Sequence, residues 1–223
     1  VDASDFALVT TGGISGATVG DVSGSGTTYT VTVATGAGDG TLRLGIIDND
    51  SIMDAAANPL GGVGAGNGNF TSGGIYTIDK TPPTVVSSLR TDSNPTAAEG
   101  VRFTVTFSEA VSGVDTSDFR LITTDSLSSV SITGLSGSAN SYTITAAAGS
   151  GVGTLRLDLA DDDSIMDNIG HPLGGIGAGN GSFTTGEVYA INKPAINIIS
   201  EIFSSNGAYD GWILESSEES NKG

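Results

Sequence analysis

The sequence predicts an all-β fold of antiparallel β-sandwiches in tandem, and three observations carry that prediction. Gly is abundant, at 34 of 223 residues, and Ser, Thr and Val crowd the spaces between, a composition of short strands and turns. No segment sustains an apolar stripe at i, i+3, i+4 and i+7, so almost no helix is expected. The chain also repeats itself: residues 114–193 follow residues 1–80 without a gap, with roughly 44 of 80 aligned positions identical.

The strands follow in order along residues 81–193. TVVSSLR (84–90) and VRFTVTFSE (101–109) alternate apolar and polar residues, as half-buried strands do. FRLIT (119–123) comes after the VDTSD turn, where Asp118 is expected as a cap and Phe119, like Phe6, as a core plug. VSITGL (130–135), SYTITAA (141–147), TLRLDLA (154–160) and EVYAIN (187–192) complete a set of seven. Strands this short with closely spaced turn signals predict a sandwich with Greek-key connections.

Residues 81–113 have no counterpart ahead of Val1, so the first repeat, 1–80, is expected to lack its first strands, and the chain to be a piece of something longer. Thr81-Pro82-Pro83 stiffens the junction and favours an extended rod. The tail, 194–223, begins with PAINIISEIF (194–203), which alternates like the first strand of a further module, and ends polar and acidic.

The formal charge of -17 opposes binding to nucleic acid or an anionic membrane surface. It suits carboxylates that bind cations or face a salty exterior. Cysteine is absent, which excludes thiol catalysis and zinc-thiolate sites. No apolar run is long enough to span a bilayer as a helix.

The segments TPPTVVSSLRTDSNPT, VRFTVTFSEAVSGVDTSDF and GTLRLDL, the last followed by an Asp-rich loop, resemble the bacterial Ig-like repeats of large secreted and cell-surface proteins. The likeness covers essentially all of 1–193, and SEAVSGVDTSDF (108–119) is its most characteristic part. It implies tandem Ig-like sandwiches, an extracellular location and an architectural role in stalks, adhesins or fibres, with neighbouring repeats or copies of itself as partners and no active site.

Each copy holds one long Asp-rich connection: DNDSIMDAAANPLGGVGAGNGNF (48–70) and DDDSIMDNIGHPLGGIGAGNGSF (161–183). The acids are Asp48, Asp50 and Asp54 in the first, and Asp161, Asp162, Asp163 and Asp167 in the second. Calcium (Ca2+) takes six to eight oxygens from carboxylates, amides and backbone carbonyls, so Asp48, Asp50, Asp54 and Asn67, with Asp161, Asp163, Asp167 and Asn180, are the expected structural metal ligands. The match to known calcium motifs is partial, because Ile52 and Ile165 stand where an EF-hand needs its third ligand. The competing expectation is turn chemistry: Asp and Asn favour turns and cap short helical turns, with Ile52 or Met53 plugging the sandwich end.

Catalytic readings find little support in the sequence. His171 is the only histidine, and the first copy has Asn58 in its place. Aromatic residues are 6%, too few to line a sugar cleft beside paired carboxylates. The GAGNG runs lack the Lys of a phosphate loop. A non-enzymatic structural role is therefore expected. The alternative is a filament subunit, in which the tail strand 194–203 of one copy fills repeat one of the next by donor-strand complementation.

Overall fold

The computed structural model describes residues 1–193; the tail 194–223, with the expected donor strand, lies outside the described residues. The chain divides into two compact units, Val1–Pro82 and a second one from Pro83 onward. Among the described residues, helix is limited to two single 3-10 turns, Ala3–Asp5 and Thr116–Asp118.

The second unit has seven strands: β6 (Val85–Arg90), β7 (Gly100–Phe107), β8 (Phe119–Thr123), β9 (Ser131–Ser138), β10 (Ser141–Ala147), β11 (Gly151–Leu159) and β12 (Val188–Lys193). They form two antiparallel sheets, one ordered β6-β7-β10-β9 and the other β12-β11-β8. Period-two alternation decides which side chains meet between the sheets. From β7, Val101, Phe103, Val105 and Phe107 point inward, and from β10, Tyr142, Ile144 and Ala146. Leu155, Leu157 and Leu159 of β11, with Tyr189 and Ile191 of β12, meet them from the second sheet. Phe119 is buried as expected of a core plug, whereas Phe6 is only half-buried.

Two tyrosines tie this sandwich together. The Tyr189 ring meets Phe103 edge-on at 5.1 Å between centroids, joining β12 to β7 across the core. Its hydroxyl donates to Arg102 O (2.7 Å) and accepts from the N–H groups of Thr91 (3.0 Å) and Asp92 (2.8 Å). One buried side chain thereby satisfies three backbone groups where β6 leads towards β7. Tyr142 packs edge-on against Phe107 at 5.9 Å and donates its hydroxyl to Val111 O.

The first unit has five strands: β1 (Phe6–Gly12), β2 (Thr18–Ser25), β3 (Thr28–Ala34), β4 (Gly40–Ile46) and β5 (Ile75–Ile78). Their pairing, β1-β4-β5 and β2-β3, repeats that of β8-β11-β12 and β9-β10. The burial does not repeat. Tyr76, at the place of Tyr189, is 66% exposed where Tyr189 is fully buried. Leu42 is the one apolar side chain of this unit among the buried core residues.

Replacing Tyr189 by Phe is expected to destabilise the second unit by about 1 kcal/mol, because the Asp92 N–H loses its partner while Thr91 N–H and Arg102 O keep each other. Tyr76→Phe is expected to leave stability unchanged. Denaturant unfolding of both variants checks the contrast.

Candidate functional site

Each unit spans the gap between its last two strands with a long connection, residues 47–74 and 160–187. Bridges pin the far end of each: Ile46 pairs with Phe70, and Leu159 with Phe183. A further bridge, Met53 with Pro59 and Met166 with Pro172, closes the middle. No helical turn forms over 51–54 or 164–167. Of the two candidate plugs, Ile52 is half-buried and Met53 is 58% exposed; at the matching positions of the second loop, Ile165 enters the core and Met166 stays 39% exposed.

Carboxylates order the rest. Asp161 is buried, and its Oδ1 accepts from the N–H of Asp163 (3.1 Å). Its Oδ2 accepts from the N–H groups of Gly179 (3.0 Å) and Gly181 (3.1 Å). Asp48 repeats this with Asp50 N–H (3.1 Å) and Gly68 N–H (3.0 Å). Asp163 takes a left-handed φ of 67° and receives the Gly177 N–H on both oxygens, at 3.2 and 3.0 Å. Asp50, at φ 63°, receives the Gly64 N–H in the same way.

Glycine is required where the chain curls to deliver these donors. Gly174 has φ 72°, and a Cβ there would lie 2.6 Å from the Gly181 nitrogen and 2.7 Å from Asn180 Oδ1. Gly61 is in the same position beside Asn67. The amide groups of Asn67 and Asn180 close these turns: Asn180 Nδ2 donates to Gly175 O and Ile176 O, and Asn67 Nδ2 to Gly62 O and Val63 O. The turns present Val63 and Ile176 to solvent at 89% and 92% exposure.

Asp54 and Asp167 sit in a separate turn. Asp167 Oδ1 accepts from the N–H groups of Ile169 (2.8 Å), Gly170 (2.7 Å) and His171 (2.9 Å), and His171 Nδ1 lies 2.8 Å from Oδ2. In the first copy, Asn58 Nδ2 donates to Asp54 Oδ2 at 2.9 Å. The slot thus takes whichever side chain offers an N–H, and Asn58 cannot shuttle a proton. Burial pushes the Asp167 carboxyl up, but the four donors outweigh it and hold it below the ordinary carboxylate range. The Asn58 side chain and neighbouring N–H groups hold Asp54 low, and backbone donors led by Gly68 do the same for Asp48.

The structure therefore pairs Asp161 with Asp163, and Asp48 with Asp50, through one backbone N–H each. It keeps Asp54, Asp167, Asn67 and Asn180 in other turns of the loops. No three of the predicted carboxylates of one loop bring oxygens within 4.8 Å of one another. The carboxylates face N–H donors, whereas calcium needs oxygens converging on one point. Holding an ion here requires the carboxylates to turn away from these donors.

The sequence pattern does not single out Ser51 and Ser164, yet they join the loop to the turn before β1 and β8. Ser164 Oγ donates to the buried Asp118 Oδ1 (3.0 Å), whose Oδ2 accepts from Asp115 N–H (2.7 Å). Ser51 donates to Asp5 in the first copy. Asp115 is the N-cap of this turn and Asp118 completes the capping box, so the expected cap involves both acids. Burial pushes the Asp118 carboxyl up, against its hydrogen bonds and assisted by the charges of Asp115 and Asp162.

Carboxylates held low stabilise the fold above the unfolded-state pKa of about 3.9, and that contribution is lost as pH falls through their folded values. Asp118, held high, has the opposite sign. Wild type is expected to lose stability on acidification below about pH 4, and Asp167→Asn to be less stable at neutral pH with a shallower acid slope. Urea midpoints measured across that window test this. No family model, curated protein or solved structure matches the chain.

Proposed function

We propose that the chain is an architectural module of a bacterial secreted or cell-surface protein, a pair of tandem Ig-like sandwiches serving in a stalk or fibre. The observation that carries this reading is the strand order of the second unit. Lettered A to G along the chain, β6-β7-β10-β9 is A-B-E-D and β12-β11-β8 is G-F-C. The constant-type immunoglobulin sandwich, a Greek-key fold, has the same two-sheet order, which supports the Ig-like reading.

Three further features support it. The five strands of the first unit pair as β8–β12 do, in keeping with tandem copies of one fold. Thr81 hydrogen-bonds to Asp39 within the first unit, and Pro83 is buried in the second, so the connector is short. The charge of -17 keeps such a surface soluble and away from nucleic acid.

Calcium enters this reading as a stiffening ligand. Asp50 and Asp163, each half-buried and bonded to one glycine N–H, are the carboxylates freest to turn towards an ion. The filament alternative draws on the open face of the first unit, while its donor strand, 194–203, lies outside the described residues.

The test is antibody labelling of intact producing cells with serum raised against the purified chain. Surface labelling that protease treatment removes is the expected result, and labelling only after permeabilisation contradicts the proposal. Thermal unfolding in calcium, magnesium or EDTA decides the ligand. A calcium-selective rise abolished by Asp50→Ala with Asp163→Ala adds the metal, and an unchanged midpoint leaves turn chemistry alone.

A further inference from the structure

We propose that Asn67 and Asn180 are self-modifying positions: each stays asparagine while its loop is closed and converts to aspartate or isoaspartate once the loop opens. This goes beyond the architectural reading and does not depend on it.

Each of these residues precedes a glycine, Gly68 or Gly181. In an Asn-Gly pair no side chain shields the glycine nitrogen, which can attack the asparagine Cγ. A bond forms between that nitrogen and Cγ, and the Cγ–Nδ2 bond breaks. The proton lost from the glycine nitrogen leaves with the amide nitrogen as ammonia. Water then opens the five-membered ring at either carbonyl, giving aspartate or isoaspartate with no change of oxidation state. This chemistry makes asparagine one of the thermolabile residues.

The packing of the loop creates the pair in both copies. Asparagine is needed because its Nδ2 closes the turn, on Gly175 O and Ile176 O at 3.1 and 3.2 Å in the second loop and on Gly62 O and Val63 O at the same distances in the first. Glycine is needed after it because a Cβ on Gly181 would lie 2.6 Å from Leu173 O, and one on Gly68 2.7 Å from Leu60 O. Both asparagines are exposed, so water reaches them.

The aspartate scaffold holds the pair unreacted. The Gly181 N–H donates to Asp161 Oδ2 at 3.1 Å, and the Gly68 N–H to Asp48 Oδ2 at 3.0 Å. Attack requires the nitrogen to lose that proton, and a carboxylate beside it opposes a second negative charge. The Nδ2 bonds fix the asparagine side chain on two carbonyls, whereas a near-attack geometry needs it free. Opening the loop releases both restraints together. Conversion is then one-way. The new carboxylate has no N–H for Gly175 O and Ile176 O, and isoaspartate adds a backbone carbon ahead of Gly181 that carries its N–H away from Asp161. A transient opening becomes a permanent release of the turn that presents Val63 or Ile176.

Peptide mapping by mass spectrometry with isoaspartate detection, on the complete 223-residue chain kept at mildly alkaline pH, tests this. A synthetic peptide of residues 173–183 is the open-loop reference. Asn180 in the folded chain is expected to convert at least about tenfold more slowly than in the peptide. Asp161→Asn is expected to speed conversion at Asn180 at least about threefold and leave Asn67 at its wild-type rate, with amide exchange in β7 unchanged. Should that variant loosen β7 as well, Asp48→Asn carries the same test to Asn67, and the wild-type comparison needs no variant. Asn180→Asp, the product itself, is expected to speed exchange of the Gly181 N–H at least about tenfold while β7 exchange holds. Conversion of Asn180 in the folded chain at the peptide rate overturns the proposal. So does an unchanged rate at Asn180 in Asp161→Asn, or unchanged Gly181 exchange in Asn180→Asp.

Discussion

The bond between an aspartate oxygen and a backbone N–H is the interaction on which both long loops depend. Some 28 residues cross from β11 to β12 without helix or strand, a length at which a loop needs an internal scaffold to be ordered. Asp161 supplies it by gathering amides from both ends of the loop, Asp163 on one side and Gly179 and Gly181 on the other. A carboxylate suits the task because its two oxygens accept several bonds at once and gain strength from charge. The glycines suit it because left-handed backbone turns the N–H groups inward. The Ser164–Asp118 bond then fastens the scaffold to the turn that starts β8.

The two units show how far context governs burial. Tyr76 and Tyr189 sit in equivalent strands on equivalent sheets, and only the second has β6 and β7 over it. Within the second unit, β7 alone contributes four inward side chains, two of them large aromatics. The loops differ less, because their bonds lie within each loop: Asp48 and Asp161 both accept the amides two and twenty residues on, and Asp50 and Asp163 the glycine amide fourteen residues on.

Much of this was legible in the sequence. Alternation in VRFTVTFSE located β7 and its buried face, and the internal repeat transferred each element from one copy to the other. The Asp-rich segments were legible as loops, and Asp118 as part of a turn. What spacing left open was direction. A D-x-D pair places two carboxylates close together, but whether they converge on a cation or take N–H groups depends on glycines fourteen to twenty residues later. The Ser164–Asp118 contact spans 46 residues and is equally out of reach of local pattern. The expected plug was Ile52 or Met53, and only three-dimensional packing separates them: Ile52 is half-buried and its counterpart Ile165 enters the core, while Met53 stays exposed.

Amide hydrogen exchange of the complete chain, resolved by residue at neutral pH in EDTA, tests the central claim most directly. If aspartate–amide bonds build the loops, the N–H groups of Gly64, Gly68, Gly177, Gly179 and Gly181 exchange far more slowly than in an unstructured chain, with no metal present. Exchange at the unstructured rate in EDTA, slowed only when calcium is restored, would contradict the account and make the ion the organiser of both loops.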